Sequence, residues 1–159
     1  MNQPDLVVFD LDFTLWDGGG TCCDCLTPPF SGEAEGVYDA HGRHVQLYKD
    51  VLLILDTLDA MHIPMALASR TQRPDWARQL LGRLGIRGRF QFEEIFPGSK
   101  VTHLNKLCNS SGVSLDEILF FDDEIRNLHD LQPLGIQCIF VPDGLNHSLF
   151  KQGLELFRS

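Results

Sequence analysis

The sequence has no long apolar run and few basic residues. No stretch approaches the roughly 18 apolar residues of a membrane span, which argues against a membrane partner. Thirteen Lys and Arg stand against 22 Asp and Glu, a formal net charge of −9. Because nucleic-acid binding depends on clustered basic residues that neutralise phosphates, this balance also argues against a nucleic-acid partner. A phosphorylated small molecule needs only local positive charge and stays compatible with it.

Basic residues are also absent from the first five positions, and Asp10 and Asp12 interrupt the apolar stretch that follows. A secretory signal has a basic start and a longer apolar segment, so we expect a cytoplasmic protein. The five cysteines, an odd number, are then expected to be free thiols. A less favoured alternative is a zinc site in which His41 or His44 joins the loop cysteines Cys22, Cys23 and Cys25.

Short apolar runs alternate with helical patterns along most of the chain. The runs are typical of strands buried on both faces, and they cover 6–9, 64–68, 118–121 and 137–141. The helical patterns cover 50–62, 74–84, 100–110, 124–131 and 146–157. This alternation predicts a single α/β domain over 1–159, with helices on both faces of a parallel sheet. The segment 17–46, rich in Gly, Pro and Cys, is expected to be a loop or small flap.

Polar residues directly follow three of the apolar runs. Asp10 follows the first run, Ser69 the second, and the pair Asp122 and Asp123 the third. Ligands of open α/β sheets bind in the crevice outside the carboxyl ends of the strands. We therefore expect these side chains to meet in one crevice.

Asp10 and Asp12 form an Asp-x-Asp pattern at the end of the first run. One carboxylate can attack phosphorus, while the other serves the leaving oxygen as an acid and later activates water. A turn or a helix cap is the alternative interpretation of the pattern. Its position after a buried strand favours the catalytic interpretation.

Ser69, Arg70 and Lys100 are candidates for contacts with an anionic substrate. Ser69 can donate to a phosphoryl oxygen and Arg70 can hold an anion, although serine is also a common helix N-cap. Lys100 follows Pro97-Gly-Ser at a loop-to-helix junction, where it can neutralise charge on the attacking carboxylate and the phosphate. A lone lysine is otherwise usually a solvated surface residue.

Asp122 and Asp123 supply acidic oxygens after the third run. Mg²⁺ prefers oxygen ligands, usually one or two carboxylates together with waters and substrate phosphate. Adjacent carboxylates repel each other, and a bound cation offsets that repulsion. Asn127 lies four residues beyond Asp123 and can orient that side chain or a metal-bound water.

Together these residues resemble the motifs of the haloacid dehalogenase superfamily of aspartyl phosphatases. The four motifs occur in the family's order: Asp10-Leu-Asp12-Phe-Thr14, Ser69, Lys100 and Asp122-Asp123. The surrounding segments are similar to the magnesium-dependent phosphatase type 1 family: Gln46-Leu-Tyr48, Ala68-Ser-Arg-Thr71, Phe96-Pro-Gly-Ser-Lys100 and Phe120-Phe-Asp-Asp-Glu124. The resemblance runs from Leu6 to Phe157.

The resemblance implies a Rossmann-like three-layer sandwich with strand order 5-4-1-2-3. It also implies a Mg²⁺-dependent acid phosphatase, a phosphomonoester hydrolase with Asp10 as nucleophile and Asp12 as general acid and base. Mg²⁺ would be held by Asp10, the backbone carbonyl of Asp12 and one aspartate of the fourth motif. Asp123 is favoured for that third position, and Asp122 is the second choice.

The resemblance further implies that Ser69, Arg70 and Lys100 contact the substrate phosphate. The gaps between the motifs leave no room for a large cap domain, so we expect an open site. Such a site admits phosphate on a small molecule or on a protein. The family suggests sugar-type phosphates such as fructosamine 6-phosphates, which we favour, or phosphotyrosine.

Three alternatives to a sugar-type phosphatase stay open. One is a protein tyrosine phosphatase, the second is a non-catalytic interaction module, and the third is a receiver-like module that accepts phosphate at an aspartate. The segment 18–25 departs from the family, whose members carry bulkier aromatic and polar residues there. Substrate contacts in this loop therefore do not follow from the resemblance.

Overall fold

The structure, a computed structural model, describes residues 3–158. Its strands and helices are, in chain order, β1 (Leu6–Phe9), β2 (Trp16–Asp17), β3 (Val37–Tyr38), β4 (His44–Leu47), α1 (Val51–Ala60), β5 (Met65–Ser69), α2 (Pro74–Arg83), β6 (Phe92–Ile95), α3 (Lys100–Ser111), β7 (Ile118–Asp122), α4 (Ile125–Leu131), β8 (Gln137–Phe140) and α5 (His147–Glu155). Five strands form a parallel sheet in the order β6-β5-β1-β7-β8. If these five strands are numbered 1 to 5 along the chain and the sheet is read from β8 to β6, the order is the expected 5-4-1-2-3.

Helices cover both faces of the parallel sheet. Val7 and Phe9 of β1 point into one apolar core, which they share with side chains of α1, α2 and α5. Leu6 and Val8 point into the opposite core, shared with α3 and α4. The alternation follows from the two-residue period of a strand, and it confirms the predicted three-layer α/β sandwich. Within residues 3–158, no helix has the length and apolar character needed to cross a membrane.

The parallel register brings three strand ends to one edge of the sheet. Phe9 lies opposite Leu67 on one neighbouring strand and opposite Phe121 on the other. Asp10, which follows Phe9, donates its backbone N–H to the carbonyl oxygen of Phe121 at 3.0 Å. Asp122 follows Phe121 directly, so its side chain leaves the sheet at the level of Asp10.

The sequence patterns did not predict β6. Its sequence, Phe-Glu-Glu-Ile, lacks a continuous apolar run because β6 is an edge strand with partly exposed side chains. Glu93 pairs with Arg78 at 3.2 Å and with Arg87 at 3.0 Å, so polar contacts replace burial on this strand. Two predicted strands also extend one residue further than expected: β5 ends at Ser69 and β7 ends at Asp122.

The segment between β1 and α1 contains a second, smaller sheet. Its three strands are antiparallel in the order β2-β4-β3, and we call residues 16–47 the flap. Trp16, Val37 and Val45 are fully buried and extend the core shared with α1, α2 and α5. Asp39 accepts hydrogen bonds from the backbone N–H groups of Thr27, His41 and Arg43 at 2.8–3.0 Å.

Candidate active site

A tight turn directly after β1 positions Asp10. The carbonyl oxygen of Leu11 accepts the N–H groups of Thr14 and Leu15 at 3.1 and 2.9 Å. Phe13 adopts a left-handed backbone with φ of 61°, an uncommon conformation for a residue with a side chain. The turn brings Thr14 back to the strand end, where its hydroxyl donates to Oδ2 of Asp10 at 3.2 Å. Thr14 is fully buried, so this hydrogen bond orients the Asp10 carboxylate.

Lys100 brings a buried ammonium group between two carboxylates. Its Nζ lies 3.1 Å from Oδ1 of Asp10 and 2.8 Å from Oδ2 of Asp122, and the residue is only 1% exposed. Burial would lower the pKa of Lys100, but the charges of Asp10 and Asp122 raise it. Lys100 therefore carries its positive charge at neutral pH. The alternative of a solvated surface lysine is wrong.

The first turn of α3 holds Lys100 in place. Ser99 is the N-cap of this helix, and its hydroxyl oxygen accepts the N–H of Val101 at 3.1 Å. His103, fully buried, contacts the carbonyl oxygens of Ser99 and Ser69 through its ring nitrogens at 2.7 and 2.9 Å. Because carbonyl oxygens only accept, the ring nitrogen that carries the proton is the donor here. His103 thereby ties α3 to the end of β5, a role that sequence reasoning missed.

Asp122 is fully buried, and hydrogen-bond donors surround its carboxylate. Oδ2 accepts from Lys100 and from the side-chain amide of Asn127 at 2.9 Å, and Oδ1 accepts the N–H of Glu124 at 2.9 Å. The Oδ1 of Asn127 in turn accepts from Nη1 of Arg70 at 3.2 Å. Asn127 therefore orients Asp122, and not Asp123 as expected.

Asp10, Asp122 and Asp123 form a candidate metal site. Their ligand atoms all lie within 4.8 Å of one another. Within residues 3–158, no other group brings three metal-ligating side chains close enough to bind the same ion. Burial and the neighbouring Asp10 carboxylate raise the pKa of Asp123 to about 9. Burial raises the pKa of Asp10 as well, although Lys100 opposes this shift. Both shifts have the same origin, since burial removes water from the carboxylates and neighbouring carboxylates add repulsion that one ammonium group only partly offsets.

Asp12 has a different environment from Asp10. Its Oδ1 accepts both the indole N–H of Trp16 and the backbone N–H of Cys23, each at 2.8 Å. Burial raises the pKa of Asp12 to about 7, although the Trp16 hydrogen bond opposes this shift. Because both donors reach Oδ1, the other oxygen is left for contacts inside the cavity. Sequence reasoning did not find Trp16 or Cys23 as partners, since neither carries a motif.

Ser69 ends β5, and Arg70 begins the loop that follows it. The hydroxyl oxygen of Ser69 accepts the N–H of Thr71 at 3.3 Å, a local turn contact. Ser69 is not the N-cap of α2, because that helix begins at Pro74 and its N-cap is Arg73. The N-cap alternative for Ser69 is therefore wrong.

One cavity of about 480 Å³ contains almost all of the predicted site residues: Asp10, Asp12, Ser69, Arg70, Lys100 and Asp123. Asp122 lies behind it and is fully buried. Sequence reasoning missed the remaining lining residues, which are Phe13, Cys22, Asp24, Thr71, Gln72, Glu124 and Arg126. Most of these lie in loops, where a polar residue gives no signal that separates a site from ordinary surface.

Asp24 connects the flap to the loop after β5. Its carboxylate accepts hydrogen bonds from the Thr71 hydroxyl and from the backbone N–H of Gln72, the latter at 3.1 Å. The five cysteines are free thiols, as expected. The flap cysteines and histidines do not form a metal-ligating group in the described part of the chain, so the zinc alternative has no support.

Comparison with known proteins agrees with this geometry. A family model described as Acid Phosphatase matches residues 2–159. Human magnesium-dependent phosphatase 1 is 42% identical over 156 residues, which cover 97% of this chain and 87% of that protein. A haloacid dehalogenase-like family hydrolase from Streptococcus pneumoniae superposes with a TM-score of 0.68 at 15% identity, over 96% of this chain and 92% of that chain.

A phosphatase domain from Bacteroides fragilis, solved in complex with Mg, superposes with a TM-score of 0.65 at 16% identity. This chain is covered to 99% but spans only 42% of that structure. At such low identity, the two solved structures show a shared fold and no more. The match of the family model over nearly the whole chain decides the relationship: the chain belongs to the acid phosphatase family, within the haloacid dehalogenase superfamily.

Proposed function

We propose that the protein is a Mg²⁺-dependent phosphomonoester hydrolase that passes the phosphoryl group through Asp10. The observation that carries the proposal is the convergence of Lys100 with the clustered carboxylates of Asp10, Asp122 and Asp123 at one cavity on the carboxyl edge of the sheet. Family membership and the name of the human relative support the same reaction class. We also propose that the chain works as one domain, in which the predicted loop segment 17–46 forms most of the flap.

The carboxylate cluster fits a divalent cation. When all three are ionised, Asp10, Asp122 and Asp123 set three negative charges against the single positive charge of Lys100. The two uncompensated charges equal the charge of one Mg²⁺, and carboxylate oxygens are the ligands it prefers. When bound, Mg²⁺ supplies charge neutralisation that lets an anionic nucleophile and a phosphate approach each other.

Asp123 is the better candidate than Asp122 for direct metal ligation. Three donors already occupy the two oxygens of Asp122. Asp123 instead lines the cavity and has its pKa raised to about 9 by burial and by Asp10, a state that a nearby cation would relieve. We assign Asp10, Asp123 and the backbone carbonyl of Asp12 as the residues that hold Mg²⁺.

Asp10 is the proposed nucleophile. A carboxylate oxygen of Asp10 forms a bond to phosphorus while the bond from phosphorus to the leaving oxygen breaks. Thr14 holds one carboxylate oxygen, and Lys100 beside the other reduces the repulsion between the two anions. Ser69 and Arg70 line the same cavity and are assigned to the phosphoryl oxygens.

Asp12 is the proposed general acid and base. A carboxyl group with a pKa of about 7 can give a proton to the leaving oxygen at neutral pH. In the second step Asp12 takes a proton from water as the water oxygen attacks phosphorus and the bond to Asp10 breaks. The cycle then returns both carboxyl groups to their starting state and releases inorganic phosphate.

The lining of the cavity favours sugar-type phosphates, such as fructosamine 6-phosphates, carried on a small molecule or a protein. Outside the catalytic residues the walls are mostly polar, with Asp24, Gln72, Glu124 and Arg126 able to bond hydroxyl groups. Phe13 is an aromatic residue on the same wall and is the feature that favours the alternative, a protein tyrosine phosphatase. Comparing kcat/KM for a fructosamine 6-phosphate and a phosphotyrosine peptide separates them; about a tenfold difference, or 1.4 kcal/mol, is informative.

The proposed reaction is tested with p-nitrophenyl phosphate. We expect turnover with Mg²⁺ and none with EDTA, and Asp10→Asn should lose turnover while keeping the circular-dichroism spectrum. Asp116→Asn is the matched control, because Asp116 is an exposed carboxylate that precedes β7 and lies outside the cavity lining. Normal turnover by Asp10→Asn would contradict the proposal, and no turnover by the unmodified protein would favour a non-catalytic or receiver-like module.

A further inference from the structure

Two thiols are in contact at the rim of the cavity. The Sγ atoms of Cys22 and Cys25 lie 3.5 Å apart, with Cys22 partly buried and Cys25 exposed. The two residues have the spacing Cys-x-x-Cys, which sequence reasoning did not recognise. Cys22 also lines the cavity that holds Asp10 and Asp12.

The backbone, and not a chance rotamer, brings the two thiols together. Cys22 is the N-cap of a short 3₁₀ helix, Cys23–Cys25, and its carbonyl oxygen accepts the N–H of Cys25 at 3.1 Å. This hydrogen bond closes a tight turn between the two residues. The turn therefore holds Cys22 and Cys25 side by side.

We propose that Cys22 and Cys25 are a redox-active dithiol, and that their oxidation to a disulfide lowers the activity of the adjacent phosphatase site. The second half of this proposal rests on the proposed function. The first half concerns only the thiols.

Hydrogen peroxide is a sufficient oxidant for this step. The exposed Cys25 thiol reacts with peroxide to give a sulfenic acid and one water. The Cys22 sulfur then attacks the Cys25 sulfur, forming the S–S bond and releasing a second water. The two thiols together lose two electrons and two protons, and one peroxide is reduced to two waters.

The disulfide would move the turn that supports Asp12. A disulfide bond is about 2.05 Å long, so the two sulfur atoms must approach by roughly 1.5 Å from their present 3.5 Å. The residues between them, Cys23 and Asp24, carry contacts to the site. Cys23 donates its N–H to Asp12 at 2.8 Å, and Asp24 holds the loop after Ser69 through Thr71.

The other three cysteines are poorly placed for this reaction. Cys23 is 1% exposed and packs in the apolar core, where an oxidant in solvent does not reach it. Cys108 and Cys138 belong to α3 and β8 and pack under the opposite face of the sheet. A disulfide should therefore form selectively within the flap.

The test combines thiol labelling with activity. Reduced protein is treated with hydrogen peroxide, denatured in a maleimide that blocks free thiols, and digested with trypsin. The first basic residue is Arg43, so trypsin releases all three flap cysteines in the peptide 1–43, apart from Cys108 and Cys138. We expect this peptide to carry three labels before oxidation and one after it, with dithiothreitol restoring three.

Activity is followed in the same samples with p-nitrophenyl phosphate. We expect kcat to fall about tenfold and to recover with dithiothreitol, because a displacement of ~1 Å near reacting groups can cost about 100-fold. Cys22→Ser and Cys25→Ser should each lose both the two-label change and the reversible fall in kcat. The double variant Cys108→Ser, Cys138→Ser should keep both.

Two outcomes would overturn the proposal. If the peptide 1–43 keeps three labels at peroxide concentrations that oxidise exposed thiols, Cys22 and Cys25 are not a redox-active pair. If the disulfide forms while kcat is unchanged, the pair does not control the site. Failure of the proposed function is recognised separately, since the reduced protein would then show no turnover at all while the label count still reports on the dithiol.

Discussion

Replacing Lys100 with methionine removes the only positive charge that the structure places between Asp10 and Asp122 in residues 3–158. Lys100 is 1% exposed and its Nζ lies 3.1 and 2.8 Å from the two carboxylates, so the variant leaves two buried negative charges facing each other. Removing one partner of a buried ion pair costs about 3–5 kcal/mol. We expect the free energy of unfolding of Lys100→Met, in EDTA, to fall by about that amount.

The loss should depend on pH and on Mg²⁺. Without Lys100, the pKa of Asp10 rises further, and a carboxyl group whose folded pKa is raised loses stability as the pH rises through that range. The deficit of the variant should therefore grow from mildly acidic to alkaline pH. Saturating Mg²⁺ should narrow it, because the cation compensates the carboxylates that have lost Lys100 and therefore stabilises the variant more than the unmodified protein.

Urea denaturation in EDTA and in Mg²⁺ measures these effects, and Lys106→Met is the matched control. Lys106 lies on the same helix but is exposed, with its Nζ 5.2 Å from the Phe96 ring, a contact of about 0.5–1 kcal/mol. We expect the turnover of Lys100→Met to fall by about 100-fold or more and that of Lys106→Met to stay normal. If Lys100→Met lost no more stability than Lys106→Met, Lys100 would not be compensating two charged carboxylates.

Three further predictions test the support of the site and the packing around it. Trp16→Phe removes a hydrogen-bond donor that lowers the pKa of Asp12, so this pKa should rise and the alkaline fall in kcat should move to higher pH. A pH profile of kcat identical to that of the unmodified protein would contradict the role of Asp12 as general acid. Asp39→Ala leaves three backbone N–H groups without their acceptor and should lower the free energy of unfolding by about 1–3 kcal/mol at neutral pH. Burial opposes ionisation of Asp39, but those N–H donors lower its pKa. This stabilisation is therefore complete above about pH 4 and is lost as the pH falls through the folded pKa, so denaturation at neutral and acid pH should show the difference between the two proteins shrinking. Gly153→Ala sets a Cβ 2.9 Å from side-chain atoms of Leu119 and Phe121 and should lower the free energy of unfolding by about 1–2 kcal/mol. Gly82→Ala is the control: its Cβ has nothing within 4 Å, so it should raise the free energy of unfolding by up to about 1 kcal/mol. Equal shifts in melting temperature would show that α5 does not pack this closely on the sheet.

Local sequence patterns correctly predicted most of the strands and helices of the fold. The runs at 6–9 and 118–121 have no exposed residue, and strands buried on both faces show up as continuous apolar sequence. The edge strand β6 escaped prediction for the opposite reason, since Glu93 and Glu94 make it read as a polar loop. Its pairing with β5 is a tertiary contact that no window of a few residues contains.

Local sequence patterns predicted only some of the residues of the candidate site. Asp10, Ser69 and the Asp122-Asp123 pair stood out because each follows an apolar run directly. The partners of Asp12 did not, because an indole N–H and the backbone N–H of Cys23 belong to residues without a motif. Asp122 is surrounded by hydrogen-bond donors, whereas Asp123 lines the cavity. The sequence does not show this difference, because the two residues are adjacent and identical.

The sequence by itself determined the alternation of strands and helices and the placement of acidic residues at strand ends, because both depend on periodicity and residue type over a few positions. Only the tertiary structure decided that Lys100 is a buried counter-charge, since it meets Asp10 across 90 positions of the chain. Likewise, only the structure placed the thiols of Cys22 and Cys25 beside the turn that supports Asp12. Distances and burial arise from packing between distant segments, and hydrogen-bond partners and charge states follow from them.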